Sequence, residues 1–138
     1  MLQIDNLPRK ESINRILGFY NHTFPIEFLR FLNDCDSCVV EFPDPPLVFE
    51  IYAAEEILEA NEGLHMSEFL PNFFVFGGDR ANELLTFKLD EPNQWAVFMT
   101  PMIVMSEEDS EMLADSFTEF LSKVTNVRNC KSTTQGQA

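Results

Sequence analysis

Residues 70–89 read LPNFFVFGGDRANELLTFKL. The run Phe73 to Phe76 is short, apolar and aromatic, and it empties into two glycines, which is the grammar of a buried strand leaving through a turn. ELLTFKL, from Glu83, reads as the strand that returns. Gly77 and Gly78 allow either a positive φ or a close approach of another backbone, and Asp79 can bond the turn's own backbone. The pair reads first as a tight turn and only second as a ligand loop. A strand, a tight turn and a second strand make a hairpin, and the rest of the chain must pack around it.

Toward the C-terminus, WAVFM is a third strand in this series and MIVM, after Pro101, a fourth. Ser106 followed by Asp109 has the spacing of a capping box, with Glu107 and Glu108 suited to a helix's positive end. Phe117, Phe120, Leu121 and Val124 then share one face, which predicts a closing helix. VRNCKSTTQGQA is polar and aperiodic and reads as a tail. Toward the N-terminus, AAEEILEAN predicts a helix with Ile57 and Leu58 inward and Glu55, Glu56 and Glu59 mostly outward. CVVEF and LVFEIY are β-branched and aromatic, and Asp44-Pro45-Pro46 between them excludes a helix. Asn33-Asp34-Cys35-Asp36 is turn chemistry. PIEFLRFL has helical spacing through Phe28, Leu29 and Leu32, with Pro25 suited to the first turn. Before the polar break at Asn21, His22 and Thr23, a first helix is expected from the stripe Ile13, Ile16, Leu17 and Tyr20. Helices first, strands in the middle and a helix last predict an α+β domain over 1–124 with a mainly antiparallel sheet, followed by a polar tail over 125–138.

The chain has 138 residues, 45% hydrophobic and 23% charged, enough for one domain with its own core and too short for two. Nine Lys and Arg against 23 Asp and Glu leave a formal charge of −14. Such a field repels phosphate backbones and anionic headgroups, which argues against nucleic acid and membrane partners and for a basic protein. Most of the acids fall in two blocks without any base, Phe31 to Asp79 and Leu89 to Ser122. They can serve as a solvating surface or as a docking face that steers an oppositely charged partner. Aromatic usage is 14 Phe against 2 Tyr and 1 Trp, and Phe mostly fills cores. That leaves Tyr20, Tyr52 and Trp95 as the aromatics to test as contacts. MLQIDNLPRKES has no secretory pattern, FFVF is far short of the roughly 20 residues that span a bilayer, and three cysteines is an odd count, so the expected location is the cytoplasm.

Little points to catalysis. Cys35 and Cys38 have CxxC spacing, but Cys130, His22 and His65 supply no second pair for a zinc site, and no βαβ pattern precedes the motif. His65 lies in no HExxH, and neither a GxSxG elbow nor a phosphate-binding loop occurs. With no nucleophile–base pair in view, the chain reads as a binder, with no catalytic residues, no metal and no cofactor expected. A small molecule could still line the pocket beside the Gly77-Gly78 turn.

Several of these residues together resemble the SMI1/KNR4 family, also called the SUKH superfamily. They are Pro71, Phe76-Gly77-Gly78-Asp79, Glu83-Leu84, Pro101 and Ser116-Phe117-Thr118-Glu119-Phe120-Leu121, with Phe24-Pro25-Ile26-Glu27-Phe28-Leu29-Arg30-Phe31-Leu32-Asn33 similar to the family's proline-led helix. The likeness runs from about Pro8 to Val124. Where the family has glycines after that Asn, this chain has Asp34-Cys35-Asp36; where it has more before Glu83, Arg80-Ala81-Asn82 stand. The resemblance implies a SUKH-like α+β domain that binds proteins and catalyses nothing. Bacterial members look like immunity proteins that neutralise toxin domains, frequently nucleases. Fungal members are linked to control of cell-wall glucan synthesis, which makes a regulatory scaffold the alternative. A nuclease must be basic to grip phosphates, so an acidic inhibitor could cover the same surface. The expected partner contacts are Asp79, Arg80, Asn82 and Glu83, with Glu107, Glu108 and Asp109.

Overall fold

A computed structural model describes residues 11, 13–16, 24–35, 37–43, 46–89 and 95–128. Residues 13–16 are helical, with Ile13 and Ile16 buried as the stripe requires. Leu17, Tyr20, His22, Asp36 and Cys130 lie outside the described residues. The elements then run α1 (Ile26–Asp34), β1 (Cys38–Pro43), β2 (Pro46–Ile51), α2 (Ala54–Gly63), the single turn α3 (Met66–Phe69), β3 (Phe73–Gly78), β4 (Glu83–Lys88), β5 (Val97–Pro101), β6 (Glu111–Ala114), α4 (Phe117–Lys123) and β7 (Asn126–Arg128). Seven strands form one sheet in the order β6-β5-β4-β3-β2-β1-β7, every pair antiparallel. This is the α+β architecture that the order of elements predicts.

The core is a phenylalanine cluster. Pro25 sets the entry to α1 and Phe28 and Leu32 sit one turn apart on its inner face. The Phe28 ring meets Phe74 and Phe76 of β3, Phe87 of β4 and Phe117 of α4, which clamps both helices onto one face of the hairpin. Phe42 of β1 reaches Phe120 of α4 at 5.1 Å. Trp95 and Tyr52, expected as contacts, are instead buried. Trp95 packs edge-on against Phe24 and Phe87, and Tyr52 follows β2 directly into the core.

Where β2 ends, the β2-side edge of β3 is left without a strand partner over its first half, since the two pair only at Glu50↔Gly78 and Ile51↔Gly77 while β4 covers the other edge. A side chain fills the vacancy. Asn61 of α2 accepts from the Val75 N–H at 2.9 Å and donates to the Val75 carbonyl at 2.8 Å, as a strand residue would. Asn61→Leu would leave both backbone groups buried and unpaired, and is expected to cost about 3 kcal/mol. Urea unfolding measures it, and a loss under about 1 kcal/mol would mean the groups find other partners.

Three readings are corrected. Met102-Ile103-Val104-Met105 is not a strand. β5 ends at Pro101; the Met102 N–H still makes the next in-register bond to the Asn82 carbonyl, at 2.7 Å, and the chain then bends over residues 102–104. Ser106 does not start a helix. Its hydroxyl and the Asp109 carboxylate close a single turn, after which residues 111–114 take the free edge of β5 as β6. The helix cap lies ten residues later. Ser116 accepts from the Glu119 N–H, and the Glu119 carboxylate reaches back to the Asp115 N–H. Finally, the polar segment after Val124 does not begin as a loose tail, because 126–128 pair with the outer edge of β1. The unpaired edge outcompetes the weak local preference of the sequence.

Candidate functional site

At the end of β3 the two glycines serve close approach and not an unusual φ. A Cβ on Gly77 would lie 2.3 Å from the Glu50 carbonyl oxygen, one on Gly78 2.6 Å from that of Glu83, and neither residue has a positive φ. The tight turn follows directly. Asp79 Oδ1 accepts from the N–H groups of Ala81, Asn82 and Glu83, each at 2.9 Å. Partial burial pushes the Asp79 carboxyl up, but the backbone N–H groups of Glu83, Ala81 and Asn82 together hold it below its usual value. That lock lets Arg80 hold a φ of 65°, a region that favours glycine. This is where the sequence departs from the family's glycines, and the arginine uses the geometry. Its side chain folds back to Glu50 at 2.6 Å and Glu56 at 2.8 Å and lies over the Tyr52 ring. Arg80 is therefore paired within the chain while its side chain stays half exposed.

Glu83 has the opposite environment. Burial and the nearby charges of Asp79 and Glu111 raise its pKa, so three carboxylates repel one another beside the turn. A cation placed there would relieve them. The Asn82 carbonyl binds the turn to the bend at Met102. Asp79, Asn82 and Glu83 thus form one surface with the start of the 102–110 loop.

Glu107, Glu108 and Asp109 lie further along that loop. Glu107 pairs with Lys88, five residues along β4 from Glu83, a separation of about 17 Å at a strand's rise. Asp109 is held by Ser106, while Glu108 is exposed. The Lys88 pair draws Glu107 toward the far end of β4, whereas Asp109 adjoins Ser110, whose hydroxyl meets Thr100 opposite Leu84, at the Glu83 end. Sequence reasoning missed Ile103 and Val104, 87% and 55% exposed, because an apolar run after a proline imitates a strand. It also missed an apolar groove of about 450 Å³ between the β1–β2 hairpin and β6, floored by Phe42, Leu47, Met99 and Leu113 with Glu111 and Lys123 at its rim. A shallower hollow of about 170 Å³ lies beside the turn, against Val48, Glu50 and Arg80.

The CxxC cysteines do not pair with each other. Cys35 is disulfide-bonded. Cys38 is free and fully buried, and burial pushes its thiol up to about 11. An unfolded thiol ionises near 9.0, while the folded one keeps its proton. The unfolded state thus binds fewer protons above that point, and stability should fall as pH rises from about 9 to about 11. Comparing urea midpoints of wild type and Cys38→Ala across that window measures it; equal slopes would contradict it. His65 is exposed, at φ 56°, with its ring edge-on to Phe69. Among the described residues no three His, Cys, Asp or Glu are placed to hold a metal ion, and no helix is long and apolar enough to cross a membrane.

Comparison with known families matches residues 8–123 to the SMI1 / KNR4 family (SUKH-1). The sequence matches none of the curated proteins searched. The matched span takes in the proline-led α1, the glycine turn after β3, Pro101 at the end of β5 and the Ser-capped α4. With the family model covering most of its length, the chain belongs to the SMI1 / KNR4 family (SUKH-1).

Proposed function

We propose that this chain is a non-catalytic binding domain of the immunity type, which neutralises a basic toxin domain of the nuclease class inside the cell that makes it. The observation that carries this reading is a carboxylate surface whose neighbouring cations are already engaged. Arg80 is held by Glu50 and Glu56, Lys88 by Glu107, and Lys123 by Glu119 and the Leu113 carbonyl. The field left over belongs to the acids, and a one-signed field accelerates encounter with a basic partner. Nucleic acid and anionic lipid suit it poorly for the same reason.

The test is calorimetric titration with the C-terminal domain encoded by the gene immediately upstream, at low and at moderate salt. Tight binding that weakens with salt is expected. The charge probes are Glu83→Lys and Glu108→Lys; Asp79→Lys would mainly break the turn, since its carboxylate already serves three N–H groups. Reversal at Glu83 or Glu108 should slow association most at low salt. Absence of binding would leave the regulatory scaffold as the better reading.

A further inference from the structure

The bend between β5 and β6 is built to present apolar side chains. Met102 and Met105 pack against the core, while Ile103 and Val104 between them point outward, Ile103 at 87% exposure. Both ends are fastened. The Met102 N–H is bound by Asn82. On the other side Ser110 donates to the Ser106 carbonyl and meets the buried Thr100 hydroxyl at 2.8 Å, which in turn meets Thr86 at 3.0 Å. A β-branched pair held this way loses little further conformational freedom on docking. Scattered exposed apolar residues need no explanation, but two adjacent ones on an anchored apex, next to a carboxylate cluster, have the anatomy of an interface centre and its rim.

The geometry points to Ile103 and Val104 as the apolar centre of the partner-binding surface, inserted into an apolar recess on a basic protein whose cations flank it and meet Glu83 and Glu111. This rests on the proposed binding function and specifies where it happens. The occupant follows from charge: three carboxylates beside the bend would repel a second copy of this acidic chain and attract a basic one. Glu107, paired with Lys88, and the exposed Glu108 then steer the encounter without lining its centre.

The test compares wild type, Ile103→Asp and Val104→Ser with the same upstream-encoded domain by calorimetry at low and moderate salt, with thermal unfolding of each variant alone. Ile103→Asp should bind roughly 30-fold or more weakly at both salt concentrations, as a central contact does, with its unfolding midpoint unchanged. Val104→Ser should show a smaller loss in the same direction, which guards against a folding defect in the first variant. Wild-type affinity in both variants would place the bend outside the interface and overturn the inference while leaving the binding function intact. No binding by wild type would overturn the function itself, and the inference with it. A wild-type dimer in sedimentation that Ile103→Asp dissolves would make a second copy the occupant, and would also overturn it.

Discussion

Gly77→Ala should destabilise the domain by about 3 kcal/mol or more, although it adds a single methyl group. The cause is steric and local. The new Cβ would stand 2.3 Å from the Glu50 carbonyl oxygen and 3.2 Å from both Ile51 Cα and Leu85 Cδ1. Two of those three atoms are backbone, so no rotamer change clears them. Relief requires β2 to move off β3, and those strands share only the Glu50↔Gly78 and Ile51↔Gly77 pairs. Conformational strain contributes nothing, since no described glycine has a positive φ. The displacement would also reach Glu50, which holds Arg80, and through it the turn that presents Glu83. Urea unfolding should show the loss. Gly63→Ala is the control: nothing lies within 4 Å of its Cβ, and at the end of α2 it should gain up to about 1 kcal/mol. Equal stability of Gly77→Ala and wild type would mean that the strands are not held this closely.

Phe28→Ala should cost about 3–5 kcal/mol, much of the stability of an ordinary domain. Phe28 is fully buried and its ring lies 4.9 Å from Phe87, 5.4 Å from Phe117 and 5.6 Å from Phe76. Removing it opens a cavity where α1, β3, β4 and α4 meet. The rings around it are themselves packed on one another, with Phe76 stacked on Phe87 at 4.3 Å, so the site cannot readily collapse. Phe69, 58% exposed, gives the contrast: its replacement by Ala should stay within about 0.5 kcal/mol of wild type. Comparable losses at the two positions would contradict the description of the core.

These two residues also show what can be read before a structure exists. Phe28 announces itself through spacing, because Phe28 and Leu32 lie one turn apart after a proline. The strands β1 to β5 are equally legible, each being a short apolar run between turn residues. Gly77 is half legible: a glycine pair after a strand signals turn or close approach, and only the register against β2 decides for the latter. The misses share one cause. MIVM, the false cap at Ser106 and the segment after Val124 all have ambiguous local preference, and tertiary partners decided them. Those partners were the core against which Met102 and Met105 pack and the free edges of β5 and β1. Asn61 left no signal at all, since an asparagine near a helix end normally means only that the helix is stopping.

The expected contacts divide the same way. Composition located the acids correctly in the sequence but could not say which are spent on internal work. Asp79 holds its own turn, Arg80 is folded back and Glu107 is paired, whereas Glu83 and Glu108 remain available to a partner. Spacing along the chain does not reveal that Glu107 is drawn to Lys88 while Ser110, next to Asp109, is anchored on Thr100 opposite Leu84.

The most direct measurement is growth of cells that express the upstream-encoded C-terminal domain, with and without this chain. The account expects that domain to arrest growth alone and co-expression to restore it, with protection lost when Ile103→Asp and Glu83→Lys are combined. Arrest that this chain does not relieve, at matched expression of both proteins, would contradict the immunity function.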